Sequence, residues 1–176
     1  VRERVNAQPH ERVVGAGDVA DVPLHVVLVE PEIPPNTGNI ARLCAATGCA
    51  LHLVEPLGFD IDDRALKRAG LDYWSAVRIV VHPSLAAFLN AFPVERCWWI
   101  ETTGAHVYAG ARFARGDALV FGRETGALPP ALLDSHRERT LRIPMRAGAV
   151  RSINLSSAAG IVTYAALAAL EFPGLL

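Results

Sequence analysis

Leu141–Ser156 reads LRIPMRAGAVRSINLS, and the fold class follows from how its parts change character. Leu141-Arg142-Ile143 is a short strand-forming run that Pro144 stops, because proline cannot donate to a sheet ladder. The next residues gather Gly148, Arg151, Ser152 and Asn154 into a polar loop. From Leu155 to Leu170 the chain turns alanine-rich and predicts a long helix. A strand, a polar loop and a helix in that order are one unit of an α/β sheet, and such sheets seat ligands in these loops.

Upstream, the same unit repeats. Leu24–Glu30 (LHVVLVE), Ala50–Val54, Arg78–Val81, Cys97–Glu101 and Ala118–Phe121 are compact apolar runs, predicted as strands. Runs without polar alternation indicate strands covered on both faces, as in parallel sheets. Between them, a helix is expected from the Asn36-Thr37-Gly38-Asn39 turn to Gly48, with Asn36 or Thr37 as its cap. Shorter helices are expected over Asp62–Ala69, Ser84–Phe92 and Pro130–Ser135. The expectation is one α/β domain over 24–176, a parallel sheet with helices on both faces. Residues 1–23 read as a polar, partly disordered extension.

At 176 residues the chain suits one core, and its 51% apolar content is ordinary for a globular domain. No apolar run approaches the roughly 20 residues a membrane-spanning helix needs. The first residues lack the apolar centre of a signal peptide, so a cytoplasmic location is expected. Cys44, Cys49 and Cys97 form no CxxC pair and are expected to be buried thiols. Six histidines are scattered without ligand spacing, and no metal is expected. Net charge is −1, yet Arg137, Arg139, Arg142, Arg146 and Arg151 share fifteen residues with one acid, Glu138. A solvated face and a phosphate-binding rim both account for that cluster. A smaller cluster, Arg64, Lys67 and Arg68, is offset by neighbouring acids.

Two more loops share the chemistry of the opening one: Glu101-Thr102-Thr103-Gly104 and Gly122-Arg123-Glu124-Thr125-Gly126. Each follows an apolar strand and carries small or hydrogen-bonding residues. Taken singly each is an ordinary turn; in series they outline a ligand pocket. Neither GxGxxG after the first strand nor GxxxxGK[ST] occurs, so the pocket suits a ligand without a polyphosphate. No GxSxG elbow points to a hydrolase. Pro34-Pro35-Asn36-Thr37-Gly38-Asn39-Ile40-Ala41-Arg42 adds a stiffened helix entry with Arg42 about a turn and a half in. That is either a phosphate site at a helix N-terminus or a solvent-facing arginine.

VEPEIPPNTGNIARLCAATG, LKRAGLDYW, FGRETGALP and LRIPM with RSINLSSA stand in order along the chain. Together they resemble the successive motifs of the SPOUT-class RNA 2′-O-methyltransferases, and most closely those of the branch that acts on the tRNA wobble nucleotide. The resemblance covers about Leu24 to Pro173. It implies a C-terminal trefoil knot, S-adenosylmethionine as cofactor, a homodimer and the tRNA anticodon stem-loop as substrate. It implies cofactor contacts at Glu101, Thr102, Gly104, Gly122, Ile143 and Ser152. Arg42, Glu124, Ser152, Asn154 and Tyr164 match catalytic positions, with Asn36, Arg42, Arg146 and Arg151 toward RNA. A guanidinium has no acceptor, so Arg42 is read as stabilising charge. Tyr164 is equally a core or interface aromatic.

This chain departs from the pattern in two places. Gly126-Ala127 stands where close relatives usually carry Arg-Gly, a loss for which Arg123 is the nearest compensation. The extension, with Arg2, Arg4 and Arg12, has no counterpart in the minimal enzyme. Competing readings are methylation at another tRNA or rRNA site, and a non-catalytic RNA-binding protein of the same fold. A nicotinamide enzyme ranks last.

Overall fold

The computed structural model describes residues 12–14, 21–59 and 76–176. The expected helix over Asp62–Ala69, the LKRAGLDYW motif and the Arg64/Lys67/Arg68 cluster lie outside these residues, as do Arg2 and Arg4. The described elements are β1 (Arg12–Val14), β2 (Leu24–Val29), α1 (Pro34–Thr47), β3 (Ala50–Val54), β4 (Ile79–His82) and α2 (Leu85–Ala91). They continue with β5 (Cys97–Ile100), β6 (His106–Val107), β7 (Asp117–Phe121), α3 (Pro130–Ser135), β8 (Thr140–Arg142) and α4 (Leu155–Ala169). The expected strands and helices within the described residues are present, with ends shifted by a residue or two.

The strands form one sheet in the order β1-β4-β3-β2-β7-β5-β8-β6. Every pairing is parallel except β1 on β4. Thus residues 12–14, inside the stretch read from sequence as a flexible leader, form an antiparallel edge strand. The two-residue edge strand β6 was not anticipated either.

β2 lies near the middle and is buried along its whole length. Its residues alternate between two cores. Leu24, Val26 and Leu28 join the core beneath α1 and α4, and Val27 and Val29 join the one beneath α2 and α3. Helices therefore cover both faces, which is why the strands carry no polar alternation.

Helix α1 begins differently from the sequence expectation. It starts at Pro34, its N-cap Ile33 makes no side-chain cap, and Pro34 and Pro35 occupy the first helical positions. Proline suits those positions because their N–H groups have no intrahelical partner. Asn36 is thus released from capping. At the far end Gly48 adopts φ 70°, the left-handed stop glycine favours.

β3 and β4 extend the sheet to one side of β2, and β5, β7 and β8 lie on the other, β7 inserted between β2 and β5. The direction of growth reverses at β2 and β7. A crevice opens beyond the carboxyl ends of strands at such a reversal, and ligands bind there.

Candidate active site

Three chain segments leave carboxyl strand ends beside that reversal: Glu101 after β5, Gly122 after β7 and Ile143 after β8. They enclose a cavity of about 300 Å³. Its apolar side is Ile100, Phe121, Ile143, Leu155 and Ala158, and its polar side includes Thr102, Ser152 and Asn154. Of the apolar members only Ile143 is singled out by the sequence, although each strand's last apolar residue marks where its loop begins.

Glu101 shapes the first loop. Its Oε1 accepts the Thr102 N–H at 2.8 Å, and its Oε2 accepts the Leu128 N–H at 3.2 Å, tying the β5 loop to the β7 loop. The Glu101 N–H donates to the Leu141 carbonyl at 2.9 Å. Gly104 does not line this cavity, as the cofactor reading required. It borders a neighbouring cavity of about 380 Å³, and a β-carbon there would overlap the Leu141 carbonyl group. Its missing side chain lets the loop sit against the β8 backbone. Arg142 clasps the same loop, donating to the Gly104 and Ala105 carbonyls at 2.8 and 2.7 Å.

Glu124, Asn36 and Asn154 form a continuous network. Glu124 Oε2 accepts the Glu32 N–H at 2.8 Å. Its Oε1 accepts the Ile33 N–H at 3.2 Å and Asn36 Nδ2 at 2.9 Å. Asn36, buried, receives Asn154 Nδ2 on its Oδ1 at 3.0 Å. Asn154 Oδ1 caps α4 by accepting the Ser156 and Ser157 N–H groups. One carboxylate and two amides thereby fix the β7 loop, the start of α1 and the start of α4 together. The Asn154 side chain is engaged at both ends, and Glu124 accepts from three donors.

The remaining sequence candidates lie elsewhere. Arg42 is exposed on α1 and does not line the cavity. Arg146 and Arg151 are exposed on the loop between β8 and α4, outside the lining. Tyr164 is 47% exposed on α4, more than two turns beyond the helix start, and does not line the cavity.

A model of the SpoU rRNA Methylase family matches residues 23–164. The chain belongs to the SpoU family. The tRNA (cytidine(34)-2′-O)-methyltransferase of Saccharophagus degradans is 48% identical over 85% of this chain and 97% of its own. The enzyme of the same name from Escherichia coli strain K12 is 47% identical over 86% and 96%. A solved structure concerned with 2-OH methylation of C/U34 on tRNA superposes with a TM-score of 0.78 at 48% identity, covering 84% of this chain and 96% of that one. The SpoU methyltransferase AviRb from Streptomyces viridochromogenes, solved with AdoMet, gives 0.70 at 24% identity, covering 82% and 59%. At that identity the likeness establishes the shared SpoU fold alone.

Proposed function

We propose that this SpoU-family chain transfers a methyl group from S-adenosylmethionine to the ribose 2′-hydroxyl of the tRNA wobble nucleotide, cytidine or uridine 34. The observation that carries the proposal is the convergence of three strand-end loops on one cavity bordered by the Glu124–Asn36–Asn154 network. Relatives of nearly equal length and 47–48% identity bear the name of that activity.

The cavity fits the cofactor's chemistry. An apolar floor beside loop backbone suits an adenosyl group, and two carboxylates in the lining, Glu101 and Glu124, would attract a sulfonium. Glu101, Thr102, Gly122, Ile143 and Ser152 would hold it, in part through main-chain groups. When bound, it supplies an activated methyl with a good leaving group. The chain's own share is alignment and exclusion of water. Glu124, Asn36 and Asn154 hold three segments in register, and Ser152 presents a hydroxyl at the cavity edge. Arg42, Arg146 and Arg151 are assigned to the RNA surface around it.

A trefoil knot is part of the proposal. The close seat of residues 101–105 on β8, and the return of Ile143–Leu155 to the same cavity, support it. So is a homodimer, for which Ile161 and Tyr164, 37% and 47% exposed on one side of α4, offer an apolar face. Work on tRNA implies a cytoplasmic location, and no described helix is long and apolar enough to cross a membrane.

The test is direct. Purified protein with S-adenosylmethionine and total tRNA is expected to yield 2′-O-methylated nucleotide 34, mapped by nuclease digestion and mass spectrometry. A folded, cofactor-binding protein that leaves every ribose unmodified overturns the proposal. Methyl groups mapped only to another tRNA position or to rRNA retain the reaction and replace the substrate.

A further inference from the structure

Among the described side chains lining the main cavity, three are charged: Glu101, Glu124 and Arg123. The two carboxylates are fixed by backbone N–H groups. Arg123, the one cation among the described lining residues, is held differently. Its Nη1 donates to Glu30 Oε2 at 3.3 Å, with the two side chains 47% and 39% exposed. An ion pair of that length and exposure contributes little stability and exchanges readily. Thr125 Oγ1 donates to Glu32 Oε2 at 2.6 Å, so the loop just after Arg123 is anchored more firmly than the arginine itself.

Two features of the backbone set this arm in place. Glu30, at the end of β2, has φ 53°, a left-handed conformation that costs a non-glycine residue free energy. Its carboxylate, carried on that turn, meets the arginine beside a side cavity of about 200 Å³. Gly126 supplies the bed: a β-carbon there would overlap Arg123 Nε and press on its Cγ. Gly126 has no left-handed φ, so it is the arginine's passage, and not the backbone angle, that an alanine would disturb.

We propose that Arg123 is the substrate-phosphate arm of this site, resting on Glu30 and exchanging that carboxylate for an RNA phosphodiester when substrate docks. This rests on the RNA-methylating reading above. A guanidinium binds phosphate through two parallel N–H groups, which the single, long contact to Glu30 does not match. The cofactor's own carboxylate offers similar anion chemistry, and the experiment separates the two.

Arg123→Ala, Arg123→Lys, Gly126→Ala and Glu30→Gln are compared with the unaltered protein for cofactor Kd by calorimetry and for KM on a tRNA anticodon stem-loop at several salt concentrations. Arg123→Ala is expected to raise the RNA KM about tenfold and flatten its log–log salt dependence by about one, with cofactor Kd within twofold. Gly126→Ala, which displaces the arm without removing its charge, is expected to raise KM in the same direction. Arg123→Lys is expected to restore the salt slope but only part of the KM. Glu30→Gln is expected to lower KM, because the resting partner is weakened. A tenfold loss of cofactor affinity with unchanged KM assigns the arm to the cofactor carboxylate and overturns the inference. Unchanged KM and slope in Arg123→Ala leave only a surface ion pair and overturn it too. If the unaltered protein methylates no ribose, the failure belongs to the proposed function, not to the arm.

Discussion

Two polar chains run through this molecule, each joined by two side-chain hydrogen bonds, and they serve opposite ends. Glu124–Asn36–Asn154 borders an open cavity, with links of 2.9 and 3.0 Å. His25–His52–His82 crosses β2, β3 and β4 with links of 2.9 and 2.9 Å, and all three rings are buried. The first chain has a charged end and reaches from loop to helix start to helix start. The second is packed against Phe88 and Phe92, with His82 edge-on to Phe88 at 5.3 Å and His25 edge-on to Phe92 at 4.9 Å. Burial lowers the His25 pKa to about 4, with help from the Arg96 and Arg78 charges, and Asp117 opposes it. Burial drives His52 well below the ordinary histidine value as well. The lesson is that hydrogen-bond length does not distinguish a site from a scaffold; access to a cavity does.

The largest expected effect breaks the open chain. Glu124→Ala strips the acceptor from Glu32 N–H, Ile33 N–H and Asn36 Nδ2. It is expected to lower kcat/KM on tRNA by about 10² or more, since misplaced groups cost that much in an oriented reaction. The accompanying stability loss, on the order of 1–3 kcal/mol, is read from urea unfolding. Glu124→Gln, keeping one acceptor oxygen, should recover part of both. Full activity in Glu124→Ala would remove the network from the mechanism.

The sealed chain should respond to pH and not to catalysis. Above about pH 6.5 His25 is neutral in both folded and unfolded chains. As pH falls from there to about 4, the unfolded chain gains the proton first, so stability is lost over that window. His25 alone accounts for about 3 kcal/mol of that loss, by the size of its shift. His25→Gln, measured by urea unfolding between pH 4.5 and 7.5, is expected to flatten the slope. His52→Leu removes the hydrogen bonds that His52 makes to His25 and His82 and is expected to cost about 1–3 kcal/mol at pH 7.5, with kcat unchanged. A loss of kcat without loss of fold would collapse the distinction between the two chains.

The smallest effect compares two caps. Ser84 accepts the Ala87 N–H at 3.1 Å and caps α2, away from the cavity. Ser84→Ala should cost about 1 kcal/mol and no activity. Asn154→Ala should cost a similar amount of stability from the cap alone, and activity in addition, because the link to Asn36 goes with it.

The open chain was partly legible in the sequence and the sealed one was not. Glu124, Asn36 and Asn154 sit in polar loops at strand or helix ends, where small and amide residues attract notice. Asn36 is one of two expected helix caps, but proline at the start of α1 moves the cap back three residues, to Ile33. His25, His52 and His82 looked scattered because their contacts depend on register. Val27 pairs with His52 and Val54 with His82, which staggers the rings diagonally across three strands. No local spacing encodes that. Strand identities followed from apolar runs, but the insertion of β7 between β2 and β5 is a long-range choice. The edge strands β1 and β6 are too short to carry a periodic signal. Arg123 drew notice only as a possible substitute for a missing arginine; its partner Glu30 is 93 residues away.

The three cysteines give this chain an intrinsic stopwatch. Cys44, Cys49 and Cys97 are all buried and unpaired, and burial pushes every one of their thiols up, Cys97 to about 12. The thiolate is the form that reacts with alkylating agents, so the folded protein presents almost none. Labelling then proceeds only when the molecule opens. Because Cys44 and Cys49 flank the turn between α1 and β3 while Cys97 begins β5, peptide mass spectrometry can time the two sides of the sheet separately, without introducing a probe.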